Sequence, residues 1–372
     1  MSVSGLTDTQ LLMILGAIPA LGSVTFFKLY NNFQKNLRSI FSATKDELMK
    51  VGLVSEVIAN NILNWKLFFD INKTETKLAS IRGDFIGYCD DENYPKSLKK
   101  IHDPPIGLYC IGNKSLLNSR CIAIIGTRKP TFYGIKIATE FAMNLANLGF
   151  CVVSGLARGI DTAAHDGALV AGGNTIAVLG CGIDVIYPFE NSSLYKKIAK
   201  HGCLISEFQL ERWADKQTFP IRNRLISGLC ASVIIIETAK HGGSMITANV
   251  AWDQGKKVFV VPGRIDQLSS QGCHELIRNG ATLVTSINDI LEEINFPKQQ
   301  NLYLDNPKKE LEISDPVERQ IFSFLKSYGN ATIDDIITHT QLITVPVLKS
   351  LQALEIKQLV KRGLEGSFCA NF

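Results

Sequence analysis

The chain has no Cys-x-x-Cys pair, no uninterrupted apolar run of membrane-spanning length, and no strong excess of either charge. Nine cysteines, an odd number, lie far apart and mostly inside apolar runs, as at Cys121, Cys151 and Cys230. That usage fits small buried hydrophobes in a reducing cytosol rather than disulfides, structural zinc or thiol redox chemistry. Six histidines are scattered singly, none beside an acid at metal-ligand spacing, so no metal site is expected. The first residues lack a basic stretch followed by an apolar core, and the expectation is a soluble, cytoplasmic protein with no membrane partner. A formal net charge of +4 excludes coating of nucleic acid by bulk charge, so an anionic partner must be held locally. There is no G-x-x-x-x-G-K-[ST] loop, no full G-x-G-x-x-G fingerprint and no legible Ser-His-acid set. The expectation is therefore a protein without catalytic residues or cofactor.

What is present is a repeated strand–turn–helix pattern centred on residues 120–282. Cys121–Ile125 runs into Gly126-Thr127-Arg128, and Phe150–Val153 runs into Ser154-Gly155-Leu-Ala-Arg158-Gly-Ile-Asp161. Such short, non-alternating β-branched runs suit strands buried on both faces of a parallel sheet. Further strands are predicted at 175–179, 203–206, 232–236, 258–261 and 282–284. Helices are predicted at 134–148, 160–171, 192–201, 221–229, 244–254 and 273–279. The alternation predicts an α/β fold, an extended Rossmann-like parallel-sheet core with ligands at the carboxyl ends of its strands. Glycine turns entering helices gather free N–H groups and the positive end of the helix dipole, a place that stabilises phosphate.

Flanking segments differ in character. Residues 1–70 read as an all-helical module, with Leu11, Leu12, Ile14, Leu15 and Ile18 on one face and a break at Pro19–Gly22. It resembles SAM or helix-hairpin-helix modules, but Ala20 stands where the DNA-gripping hairpin usually has glycine, which favours a structural or docking role. Residues 71–295 form the core domain, of which 71–118 is read as an irregular lead-in packed on the sheet. Residues 296–314 have linker composition. Residues 315–372 suggest a small winged helix, three helices followed by a hairpin turning at Gly363–Gly366. From 311 onward six lysines and arginines face seven acids, which favours protein contact or weak DNA contact over groove reading.

The segment Lys216-Gln-Thr-Phe219-Pro-Ile-Arg222-Asn223-Arg224 places three basic residues and one aromatic in nine positions with no acid. Phosphates need the charge and an unstacked base needs the ring face, so this is the composition of a single-strand groove. Arg222 and Arg224 lie two apart on a helix and cannot face the same way, so one is expected at the ligand and the other on neighbouring loops. Arg128 is placed for a bidentate phosphate contact. A third strand-to-helix turn, Glu237 to Ala248, offers N–H donors at Gly243 and Ser244.

With these segments assembled, the chain resembles the DprA/Smf family of DNA-processing proteins of bacterial natural transformation. The resemblance rests on Gly126–Arg128, Ser154–His165, Gly180–Pro188, Phe219–Gly228, Pro262-Gly263 and Gly280-Ala281, and covers most of 81–290. It implies a homodimer that binds single-stranded DNA with little sequence preference and helps load the RecA recombinase. The site it implies centres on Arg128, Lys216 and Phe219, with Ser154, Gly155, Asn223 and Arg224 as lesser contacts. Gly126, Thr127, Arg158, Arg222, Gly243 and Ser244 complete the candidate set. Two positions depart from the family pattern, Gly242 in place of a common serine and His274 in place of asparagine. A nucleotide-binding enzyme of the phosphoribohydrolase type is the alternative, but the stretch from Gly242 to Asn249 lacks the acid that such enzymes use. A transcription regulator acting through the winged helix is a third reading, disfavoured by that segment's near-neutral charge.

Overall fold

A computed structural model describes residues 3–90, 92–296, 313, 315–357, 359–363 and 366–370. The chain divides into two compact units, Met1–Leu304 and Asp305–Phe372. The expected linker, 296–314, lies almost wholly outside the described residues.

The first unit opens with six helices: α1 (Asp8–Ala17), α2 (Ser23–Asn32), α3 (Leu37–Ser42), α4 (Lys45–Met49), α5 (Glu56–Leu63) and α6 (Ile71–Ser80). Thr7 with Gln10 and Thr44 with Glu47 form capping boxes that satisfy orphan N–H groups at the starts of α1 and α4. The chain reverses between α1 and α2 through Ala20, whose φ of 65° lies in the left-handed region. Helix α1 is not one-faced as the sequence pattern predicts. Leu11, Leu12, Met13, Ile14 and Leu15 are all buried, because the helix lies between its neighbours and the sheet. One continuous apolar cluster runs from these helices through Ile106 and Tyr109 to Leu179, Ile183 and Leu204, so burial crosses the expected boundary at residue 70.

Among the described residues nine strands form one sheet: β1 (Gly83–Gly87), β2 (Gly107–Gly112), β3 (Cys121–Ile125), β4 (Cys151–Ser154), β5 (Thr175–Val178), β6 (Cys203–Ser206), β7 (Ser232–Ile235), β8 (Lys257–Val260) and β9 (Thr282–Leu283). Their order is β1-β2-β6-β5-β4-β3-β7-β8-β9. The seven strands from β3 to β9 pair in parallel, whereas β2 pairs antiparallel with both β6 and β1. The lead-in thus extends the sheet instead of packing upon it. Helices α7 (Phe132–Asn147), α8 (Ile160–Val170), α9 (Ser192–His201), α10 (Thr218–Leu229), α11 (Gly243–Asp253) and α12 (Gln271–Arg278) connect the parallel strands, and α13 (Ile287–Glu293) follows the last of them. Strands β3, β4, β5, β6 and β7 are buried along their whole length between apolar clusters on the two faces of the sheet, which is why their sequences do not alternate. The order reverses at β3 and β7, and in open α/β sheets that switch point is where ligands gather.

The second unit contains α14 (Pro316–Tyr328), α15 (Ile333–Thr340), α16 (Thr344–Ile356) and the antiparallel pair β10 (Val360–Arg362) and β11 (Phe368–Ala370) around its own apolar core. Turn residues 364 and 365 of the expected hairpin lie outside the described residues. No helix among the described residues is long and apolar enough to cross a membrane.

Candidate functional site

The turns after β3, β4, β6 and β7 converge at the switch point, and hydrogen bonds stitch them together. Thr127 N donates to the Glu237 carbonyl at 2.7 Å, and Ile160 N donates to Thr127 O at 3.2 Å. Gly126 is required by this closeness, since a Cβ there would stand 2.6 Å from the Ile160 side chain.

The first turn enters α7, whose start is already served by protein groups. Thr131 caps Gly134 N at 3.1 Å, and the Glu237 carboxylate accepts from Thr131 N at 2.9 Å and from the Thr131 hydroxyl. Glu237 is 2% exposed. The second turn is filled in the same way. Asp161, 6% exposed, accepts from Gly155 N at 3.1 Å and from Ala157 N at 3.3 Å. Leu156 N donates to His165 Nε2 at 3.3 Å. These bonds correct the expectation that both glycine turns leave their N–H groups free, because Glu237 serves the start of α7 and Asp161 takes two N–H groups of the 155–157 turn, although the start of α8 itself has no side-chain cap. At the third turn the start of α11 has no side-chain cap, and exposed Lys240, His241 and Gly243 border it while Ser244 is buried.

The candidate basic residues separate sharply. Arg222 is 4% exposed and donates to Gly155 O at 2.7 Å and to Val178 O, with its Nε donating to Asn223 Oδ1 at 3.2 Å. Burial pushes the Asp161 carboxyl up from its ordinary range, and the Arg222 charge opposes that shift. Arg224 binds the Asp103 carbonyl and the Glu207 carboxylate, and its Nε stands 3.2 Å from the Asp103 carboxylate. Burial likewise raises Glu207, against the pull of Arg224. Both arginines therefore hold loops, which corrects the expectation that one of them faces the ligand. Ser154 is buried and donates to Ile124 O at 2.7 Å, so its hydroxyl is structural as well. Arg158 is exposed but paired with Glu190 at 2.6 Å.

What remains facing solvent is a compact group. Arg128 is exposed and its guanidinium sits 4.7 Å from the centre of the Phe219 ring, with no ion-pair partner among the described residues. Phe219 is partly exposed, and Tyr187 lies tilted against it with ring centres 5.8 Å apart. Gly180 backs this pair, since a Cβ there would stand 3.0 Å from the Phe219 ring. Lys129 and Lys216 are exposed on the flanking turns and, among the described residues, carry no ion pair. Lys129 and Tyr187 were not candidates from the sequence. Lys129 follows Arg128 directly, and Tyr187 lies within the Gly180–Pro188 motif, so motif membership was the available signal for both. No group of three or more His, Cys, Asp and Glu positioned to hold a metal occurs among the described residues.

Comparison with known proteins addresses the same region. The family described as DNA recombination-mediator protein A matches residues 85–295. DNA processing protein DprA of Streptococcus pneumoniae is 44% identical over 206 residues, spanning 55% of this chain and 73% of that protein. The X-ray structure of DprA from Streptococcus pneumoniae superposes with a TM-score of 0.67 at 32% identity, covering 77% of this chain and 98% of that one. DNA processing protein DprA of Bacillus subtilis is 42% identical over 256 residues, 68% of this chain and 83% of that protein. DNA processing protein A from Helicobacter pylori, whose structure is described as giving insight into its single-stranded DNA binding mode, superposes with a TM-score of 0.53 at 34% identity. It covers 58% of this chain and 96% of that one. Because the matched stretch contains every strand of the sheet beyond β1 and the whole of the stitched crevice, the chain belongs to the DNA recombination-mediator protein A family.

Proposed function

We propose that this protein binds single-stranded DNA with little sequence preference along the carboxyl edge of its sheet, as a recombination mediator rather than an enzyme. The observation that carries the reading is the exposed Arg128 guanidinium set over Phe219 without a counter-ion among the described residues. A ring backed by Gly180 and flanked by Tyr187 offers bases a stacking surface that reads no sequence, while Arg128, Lys129 and Lys216 meet the phosphates. The uncapped start of α11 beside Lys240 supplies a further place for phosphate. The Helicobacter pylori relative's described single-strand binding supports the same ligand class. On this reading the protein acts in natural transformation and recombination, dimerises through the core domain, and passes the coated strand to a RecA recombinase. We also read 1–70 as a helical docking module, 71–295 as the DNA-binding core and 315–372 as a winged helix whose balanced charge suits a protein partner.

Fluorescence anisotropy with poly-dT and a matched duplex, at two salt concentrations, tests this. Wild type should prefer the single strand, and Arg128→Ala and Lys216→Ala should each weaken it and flatten the salt slope by about 0.7, one phosphate's share. Equal affinity and slope in wild type and both variants would falsify the assignment.

A further inference from the structure

A cavity of about 640 Å³ lies between α2 and residues 88–89 and 99–104, lined by none of the crevice residues. That volume is within the range of small-molecule sites. Among the described residues its wall carries Lys28, Lys35, Lys99 and His102 and no carboxylate. Lys28 and Lys35 are exposed and, among the described residues, have no ion-pair partner. Lys35 follows Gln34 in a turn where both residues take positive φ, 53° and 62°, and its N–H donates to Tyr30 O at 2.7 Å. Two consecutive non-glycine residues in that region are costly, so the surrounding structure holds this turn and its lysine at the rim. The floor is aromatic: Phe27 meets Tyr88 edge-on at 4.5 Å, and Lys99 Nζ lies 5.1 Å from the centre of the Tyr88 ring.

Concentrated positive charge above a ring floor selects a ligand that is anionic at one end and flat and aromatic at the other. We propose that this cavity is a second nucleotide-binding site, taking the phosphate on Lys28 and Lys35 and the base against Phe27 and Tyr88. Its position connects it to the crevice. His102 and Pro104 of its wall flank Asp103, whose carboxylate pairs with Arg224 on α10, the helix whose first turn carries Phe219. A strand passing from Phe219 over Arg224 and Asp103 would reach the cavity wall at His102, so the occupant is either a nucleotide of that strand or a free nucleotide. The strand version rests on the function proposed above; the free-nucleotide version does not.

The full-length protein and its K28E/K35E and K28Q/K35Q variants are titrated with labelled oligo-dT of about six and about 30 nucleotides, and with dTMP. With the long oligonucleotide, loss of two phosphate contacts should lower the salt slope by about 1.4 and weaken binding about 25-fold at 0.1 M salt, leaving the short one unchanged. That result assigns the cavity to the strand. Loss of dTMP binding with both oligonucleotides unchanged assigns it to a free nucleotide. Either supports the site. All three probes binding both variants as they bind wild type overturns it. Arg128→Ala separates the two readings. If it leaves every probe unaffected while the lysine variants lose binding, the crevice assignment fails and the cavity stands. Crosslinking of 4-thiothymidine to peptides spanning 24–35 or 88–104 gives a readout independent of affinity, and crosslinks confined to Tyr187 and Phe219 count against the cavity.

Discussion

Replacing Arg222 by methionine and Arg128 by alanine should separate the two roles that arginine plays at this crevice. Arg222 is buried, binds two main-chain carbonyls and opposes the rise of the buried Asp161. Methionine of similar length fills the volume but leaves Gly155 O and Val178 O without their donor and Asp161 without its counter-charge. Each buried carbonyl left without its donor costs about 1–3 kcal/mol. For a unit of this size the two together correspond to a melting temperature lower by about 3–10 °C. Arg128 is exposed, and its contact with Phe219 contributes only about 0.5–1 kcal/mol to the fold. A charged hydrogen bond to phosphate is worth about 1.5–3 kcal/mol, so Arg128→Ala should weaken single-strand binding about 10- to 150-fold while melting within about 2 °C of wild type. Circular dichroism melts and anisotropy titrations on both variants give the two numbers for each. The Arg222→Met deficit should also shrink below neutral pH, because a lone buried carboxyl takes up its proton more readily than one facing a guanidinium. An Arg222→Met protein that melts with wild type yet loses DNA affinity as Arg128→Ala does would refute the reasoning.

Three further outcomes follow from the same contacts. His165 is fully buried, and its hydrogen bonds fix one neutral tautomer: Nε2 accepts from Leu156 N, while Nδ1–H donates to Thr175 Oγ1 at 2.6 Å, whose own proton goes to Val152 O. Desolvation lowers its pKa to about 3. The unfolded chain protonates it near 6.5 and the native chain does not, so its contribution is intact above that pH and is lost as pH falls toward 3. At pH 5 the loss is about 2 kcal/mol. Urea unfolding of wild type and His165→Asn at pH 5 and 7.5 isolates this term, and identical pH dependence in the two proteins would contradict it. Glu237→Ala removes the carboxylate at the start of α7 and should lower stability by about 1–3 kcal/mol in the same assay; an unchanged midpoint would show that Thr131 suffices alone. Phe219→Leu keeps an apolar side chain against Gly180 but loses the ring face, and should weaken oligo-dT binding by about 1–3 kcal/mol with the melting temperature nearly kept. Wild-type affinity in that variant would remove stacking from the mechanism.

The parallel core was legible because strands buried on both faces must be apolar throughout, and each is followed by a helix of clear period. Strands β1 and β2 were not, because Gly83-Asp-Phe-Ile-Gly87 begins and ends with glycine and finds its partner only at 107–111, beyond two proline-marked turns. The three motif regions were legible as neighbours at the carboxyl edge of the sheet, yet which of their side chains stay exposed was not. Arg222, Arg224 and Arg128 are indistinguishable by type and similar in local surroundings. What sorts them is which loop arrives from elsewhere: Gly155 and Val178 claim Arg222, and Glu207 and Asp103 claim Arg224. These partners lie 17 to 121 positions away in the chain, beyond the reach of any local pattern. The glycines follow the same logic. Gly155 is small because a Cβ would run into the Arg222 guanidinium, and Gly126 because of Ile160, so the motif records the packing of one turn on another. Of these three arginines, Arg128 is the one set against a ring with no ion-pair partner among the described residues, and on the proposed reading a cation so placed at the switch point is the group an incoming phosphate meets first.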